Sequence, residues 1–263
     1  MGHAALIRRA GLALLLTVFG TLALAQAQQA PDAYKPQTGQ EGKDVMWLPT
    51  PQALVDRMLD MARVTPADFV MDLGSGDGRT VITAAKRGAR ALGVEYNPDM
   101  VELSRRNAAK QGVAARAQFI KADLFETDFS KASVITMFLL PDINLTLRPK
   151  ILGLRPGTRI VSNTFDMAEW EADETVTLSA SEGCTAYYCT AHLWIVPARV
   201  AGTHRTPQGE VTFRQTFQML TGSLLAEGRI SVLEGRVHGE DITFNAGGRN
   251  YSGRMNGKAL ELR

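Results

Sequence analysis

Several chemistries are poorly provided for in this chain. Its 263 residues include two cysteines and four scattered histidines (His3, His192, His204, His238), a set that indicates no metal site. No run of Lys and Arg is longer than two residues, so the concentrated basic surface that neutralises nucleic-acid phosphates is missing. The apolar run Ala10–Leu24, about 15 residues, is short for a membrane span, which needs about 20.

That run does fit an export signal. Residues 1–27 read MGHAALIRRAGLALLLTVFGTLALAQA. Arg8 and Arg9 form a positive n-region, and Ala23-Leu24-Ala25 and Ala25-Gln26-Ala27 offer small-x-small cleavage patterns. An uncleaved N-terminal anchor is the alternative, and membrane contact is expected only in that case. The expectation is a signal peptide over 1–25 or 1–27 and an exported, periplasmic protein. The segment holds two of the 29 basic residues and none of the 27 acids, so the remainder is formally neutral. Nucleic acid is not expected as a partner.

Residues 28–44 (QQAPDAYKPQTGQEGKD) are polar, rich in Gln, Pro and Gly and without periodicity, and are read as a flexible lead-in. A helix follows: Thr50 is placed to cap it, Pro51 suits its first position, and Leu54, Val55, Met58, Leu59 and Ala62 share one face.

Residues 70–88 read VMDLGSGDGRTVITAAKRG. A short buried strand ends at Asp72, Gly74, Gly76 and Gly78 follow, and Arg79–Arg87 patterns as a helix stopped by Gly88. Strand, glycine loop and helix is the arrangement in which backbone N–H groups and a helix N-terminus face a ligand. The dinucleotide fingerprint G-x-G-x-x-G/A is not met, since its third small position falls on Arg79. A second strand, Ala89–Glu95, ends in an acid able to accept both hydroxyls of a ribose. Asn97 caps the next helix, with Pro98 at its first position. A third strand, Ala117–Lys121, leads to Asp123 and Leu124, an acid for an adenine amino group beside an apolar shelf. Ser133–Leu139 reads as a fourth strand. Strands and helices thus alternate, with ligand-binding groups at successive strand ends, the place where open parallel sheets bind ligands.

DLGSGDGR, GVEYNP, ADLF and ITMFLLP, in that order, resemble the motifs of class I, seven-strand S-adenosylmethionine-dependent methyltransferases. LPTPQALVDRML and FLLPDINLTLRPKILGLRPGTRIVSNTFDMAEW are similar, more narrowly, to the small protein-lysine methyltransferases of mitochondria and their bacterial relatives, which act on membrane-embedded carrier and ATP synthase subunits. The resemblance covers about residues 45–170. It implies S-adenosyl-L-methionine as cofactor, held by Asp72, Gly74, Ser75, Gly76 and Gly78 at its amino-acid end, by Glu95 at the ribose, and by Asp123 and Leu124 at the adenine. Phe138–Pro141 would border the methyl-transfer pocket. Asp142 and Asn144 are the catalytic candidates, placed to orient a nucleophilic amine, with a helix cap as the alternative for Asp142. Methyl transfer needs mainly in-line placement and a deprotonated acceptor.

Beyond Trp170 the pattern turns to β. Glu174–Ser179 and Thr185–Pro197 look like the antiparallel strands that complete such a sheet. Cys184 and Cys189 flank TAYY; export favours a disulfide, while two cysteines close in one strand would point awkwardly. From Ala201 the residues alternate, and GRVHGEDITF (235–244) recurs as GRMNGKALEL (253–262), 18 residues on. An antiparallel meander is expected there.

The expected architecture is therefore α/β: a Rossmann-like doubly wound methyltransferase sheet over 45–200 and a small antiparallel β domain over 201–263. The expected function is an exported methyltransferase acting on a protein (a lysine being one candidate) or a small-molecule nucleophile. The other reading is an exported binding protein that keeps the fold without turnover.

Overall fold

The computed structural model describes residues 34–257 and 259–263; the expected signal peptide lies outside the described residues. The first sheet takes its strands in the order β3-β2-β1-β4-β5-β7-β6. Its parallel core is β1 (Phe69–Leu73), β2 (Arg90–Glu95), β3 (Ala117–Lys121), β4 (Val134–Met137) and β5 (Arg159–Asn163). Two antiparallel strands, β6 (Glu174–Thr177) and β7 (Thr190–Ile195), finish it.

The apolar patterning dictates what covers the sheet. In α1 (Gln52–Met61) the buried face is Leu54, Val55, Met58, Leu59 and Met61. In α2 (Arg79–Lys86) it is Thr80, Val81, Ile82, Ala84 and Ala85. The central strands are apolar on both faces, as burial between helices requires. Asn97 caps α3 (Pro98–Lys110) as expected: its side-chain oxygen accepts the backbone N–H groups of Asp99 and Met100. Two helix starts differ from the sequence reading. Pro51, with an extended backbone, is the N-cap of α1, so Thr50 lies outside the helix and its hydroxyl instead accepts from Asn163. Leu140 is the N-cap of α4 (Pro141–Ile151), which leaves Asp142 in the first turn rather than at the cap. An acid there still suits the positive end of the helix dipole.

The second sheet is a seven-strand meander in sequence order, β8 (Gly202–Thr206), β9 (Gly209–Thr216), β10 (Met219–Ala226), β11 (Arg229–His238), β12 (Asp241–Ala246), β13 (Arg249–Asn256) and β14 (Ala259–Leu262). It curls until β14 lies beside β8. The 18-residue repeat has a structural basis. Gly235 sits opposite Phe244, and Gly253 opposite Leu262. A Cβ on either would run into the facing strand, at the carbonyls of Thr243 and Glu261 respectively.

The two sheets share an interface. Trp170 stacks on Phe217 at 6.1 Å, and the buried Gln218 donates to the Glu171 carbonyl at 2.7 Å. Asp173, its side chain nearly buried, accepts from Arg236 at 2.6 Å and from the Ile195 N–H at 2.7 Å.

Candidate functional site

The loops leaving β1, β2, β3 and β4 converge on one cleft. Its lining includes Asp72, the Gly74–Asp77 loop, Glu95, Asp123 with Leu124, and Phe138 with Leu139. The structure therefore brings every expected cofactor residue except Gly78 to the cavity wall. Gly78 stands just behind, where a Cβ would lie 2.8 Å from the Phe119 ring.

The glycine loop works by shape more than by donors. Gly74, Gly76 and Gly78 have φ of +78°, +54° and +83°, a region costly for residues with a Cβ. The N–H groups of Gly74 and Ser75 both donate to the Val94 carbonyl, that of Gly78 to the Ser75 carbonyl, and that of Gly76 to Glu95. The expectation that these loop amides face a ligand is thus corrected, because the protein itself occupies them. The Ser75 hydroxyl is buried without a hydrogen-bond partner, packed where a Cβ on Gly93 would stand.

Glu95 is held from two sides. Its Oε2 accepts the Gly76 N–H and its Oε1 the Asn97 N–H, each at 2.9 Å. Every carboxylate oxygen has a second lone pair, so both remain able to receive a hydroxyl from the cleft.

Asp72 is buried behind the loop, and Thr136 donates to its Oδ1 at 2.7 Å. Burial pushes its carboxyl up to about 7, and the charges of Glu95 and Asp77 push the same way against the hydroxyls of Thr136 and Thr80. A carboxyl kept partly protonated at neutral pH is a perturbed group of the kind that gathers at functional sites.

Asp123 is paired with Lys43, whose Nζ donates at 2.6 Å, and its Oδ1 accepts the Phe125 N–H at 2.9 Å. The Lys43 bond first, then the Phe125 amide, holds the carboxyl below its ordinary range. Lys43 also lies over the Tyr96 ring, 4.8 Å from its centroid.

The sequence reading missed this strap. Residues 34–44, read as part of a flexible lead-in, run into a segment that lines the cleft from Gln40 to Thr50. Backbone bonds from Gly39 to Trp47 and from Trp47 to Gln40 close it into a loop. Trp47 covers the glycine loop so closely that a Cβ on Gly76 would meet its indole nitrogen at 2.6 Å. Trp47, an aromatic beside a polar run, was the available signal.

The catalytic candidates stand apart from the cleft. Asp142 is exposed on α4. Asn144 is fully buried, and its Nδ2 donates to the carbonyls of Phe165 and Asp166, tying α4 to the turn after β5. Neither lines the cavity.

Beside the cleft, sharing Phe138, Leu139 and the strap, lies a second cavity walled by Phe165, Tyr187 and Tyr188. The two tyrosines sit in a loop closed by a Cys184–Cys189 disulfide, with Cα atoms 6.0 Å apart. The awkward geometry does not arise, because β7 starts only at Thr190 and both cysteines lie in the turn before it.

Comparison with known proteins converges on this cleft. The ANTKMT methyltransferase domain family matches residues 72–174. A protein-lysine N-methyltransferase of Saccharolobus islandicus is 45% identical over 135 residues, 50% of this chain and 84% of that protein. The human lysine N-methyltransferase of the ATP synthase c-ring protein is 35% identical over 128 residues, 48% of this chain and 54% of its own; this chain thus spans about half the length of that relative. An RNA methyltransferase of Salinibacter ruber, solved in complex with S-adenosyl-L-homocysteine, superposes with a TM-score of 0.54 at 46% identity, over 58% of this chain and 96% of that one. These matches cover about half of this chain, and none of the shares quoted reaches 60% of it.

Proposed function

This chain belongs to the S-adenosylmethionine-dependent methyltransferases of the ANTKMT type, and we propose that its methyl acceptor is the amine of a protein lysine. The observation that carries the reading is Glu95, fixed by two backbone amides at the tip of β2 and opposite the glycine loop. That placement fits the ribose hydroxyls, with Asp123 and Leu124 beside the adenine. S-adenosylmethionine, when bound, supplies a methyl group made electrophilic by its sulfonium. The chain's own part is placement: Phe138 and Leu139 wall the side on which the second cavity opens, and their apolar surface excludes water and favours the neutral, nucleophilic amine.

A lysine acceptor is supported by the names of the archaeal and human relatives. The Salinibacter neighbour's name specifies RNA, but the formally neutral chain after residue 27 argues against a phosphate-rich acceptor. Export is part of the proposal as well, supported by residues 1–27 and by the paired cysteines, a bond that persists in oxidising compartments. The test is methyl transfer from S-adenosylmethionine to envelope proteins of the source cell, read by mass spectrometry for methylated lysine. Cofactor uptake with methyl groups found only on RNA would reject lysine as acceptor. Uptake with no transfer at all would leave the reading of an exported binder.

A further inference from the structure

We infer that the second cavity is a binding site for an alkylammonium, namely the side chain of the acceptor lysine on another protein, and that the Cys184–Cys189 disulfide is the positioning element of that site. The inference rests on the methyltransferase reading for its purpose, though not for its geometry.

Three observations carry it. The first is the wall. Phe138 lies 6.3 Å from the Phe165 ring and 5.4 Å from that of Tyr188, and Tyr187 packs edge-on to Tyr188 at 4.8 Å. Ring faces attract a cation through their quadrupoles, most strongly where water is excluded. Tyr187 is 88% exposed, an outlay of apolar surface that a partner would recover.

The second is charge. Glu41 and Asp44 of the strap border the same cavity. The one cation of the strap between them, Lys43, turns to Asp123 at 2.6 Å, while its distance to Asp44 is 3.7 Å. An ammonium entering along the aromatic wall therefore meets carboxylates at the rim. The cavity is continuous with the cofactor cleft through Phe138 and Leu139, so a cation seated there lies next to the methyl donor.

The third is the construction of the loop. Its ends are fixed by Leu178 N–H donating to the Cys189 carbonyl at 2.9 Å and by the disulfide. A capping box between Ser179 and Glu182 precedes it, and Glu182 in turn pairs with Arg57 of α1 at 3.6 Å. Both cysteines are buried. Tyr187 and Tyr188 are thus presented from a short closed ring. Reduction would release that ring without touching the glycine loop or Glu95.

The test uses the full-length oxidised protein and two probes. One is Nα-acetyl-Nε-trimethyl-lysine amide; the other is its neutral isostere, with carbon in place of the quaternary nitrogen. Each is titrated with and without saturating S-adenosyl-L-homocysteine, whose own affinity is measured separately. The cation should bind saturably, and the neutral isostere about tenfold more weakly or worse. Tyr188→Leu should weaken the cation by about tenfold, whereas Tyr188→Phe, which keeps the ring, should stay within about threefold of wild type. The Cys184→Ser/Cys189→Ser protein should lose about fivefold toward the cation while binding S-adenosyl-L-homocysteine as wild type does. A folded wild type that takes up no cation, equal binding of the two probes, or a Tyr188→Leu protein indistinguishable from wild type would overturn the site. Undiminished cation binding by the serine pair would overturn the role of the disulfide. A wild type that fails to bind S-adenosyl-L-homocysteine would instead overturn the methyltransferase reading, and the cation titration without it would still decide the cavity.

Discussion

The backbone N–H of Gly76 donates to Glu95 Oε2 at 2.9 Å, so the glycine loop after β1 and the acid that ends β2 form one hydrogen-bonded unit. The loop sets the direction of the carboxylate, and the carboxylate satisfies the loop. Neither has to rearrange to meet a ribose.

Glu95→Ala should therefore cost affinity for S-adenosyl-L-homocysteine. Two hydrogen bonds to a charged acceptor are lost, each worth about 1.5–3 kcal/mol, and partial compensation by water limits the effect to about ten- to a thousandfold. Calorimetric titration checks it; an affinity equal to wild type would remove Glu95 from the site. Because the Gly76 and Asn97 amides also lose their acceptor, the variant should be less stable by about 1–2 kcal/mol.

Gly76→Val should weaken binding by about a hundredfold or more. A branched side chain at φ of +54° is strained, and its Cβ would strike Trp47 Nε1 at 2.6 Å. Removing the indole should relieve part of the damage, so Gly76→Ala combined with Trp47→Ala should bind better than Gly76→Ala alone. Titration of the variants against the same ligand tests both statements.

Asp72 should make the fold lose stability as pH rises through the acid range. Its carboxyl titrates at about 7 in the folded chain against an ordinary value of 3.8. Below pH 3.8 both states hold the proton, and nothing is lost. Between 3.8 and about 7 the unfolded chain ionises first, so stability falls; above about 7 the loss is complete. The full effect is at most on the order of 4 kcal/mol. Asp72→Asn keeps an acceptor for Thr136 and abolishes the ionisation, so it should melt higher than wild type at pH 8.5, with the gap closing near pH 4. Thermal denaturation at the two pH values decides it, and a constant gap would refute the assignment of the titration to Asp72.

Arg236→Ala should destabilise the protein without affecting the cofactor. It leaves the nearly buried Asp173 with only the Ile195 amide as partner. Arg236 is itself 40% exposed, which limits the cost to about 1–2 kcal/mol. A melting shift with unchanged affinity for S-adenosyl-L-homocysteine is expected; a fall in affinity would mean that the second sheet supports the cleft.

The methyltransferase sheet was legible because local signals agreed with it. Asn97-Pro98 marked the start of α3, Gly88 the end of α2, and the apolar triplet Phe69-Val70-Met71 marked β1. The cofactor residues were legible for the same reason, since each follows a strand whose end could be read. What escaped had no local signature. Lys43 meets Asp123 across 80 positions, and nothing in QEGKD announces that partner. Asn144 reads as a polar residue near a strand end, and only the packing of α4 against the Phe165–Asp166 turn makes it a buried tie. The disulfide stayed open because its geometry depends on where β7 begins, and strand boundaries are the part of a fold that sequence defines least well.

The antiparallel course of β7 sets the reach of the molecule. Ala191 pairs with Asn163 at the finishing end of β5, and Ile195 pairs with Arg159 at its starting end. The chain therefore leaves β7 at the pole opposite the cleft, and the meander is attached there, through Asp173, Gly157 and Gly239. Five-residue strands separate the poles by roughly 15 Å at about 3.3 Å per residue. Whatever the meander holds is kept at least that far from the transferred methyl. A partner gripped by both would need a lysine on a tether of about five extended residues or more.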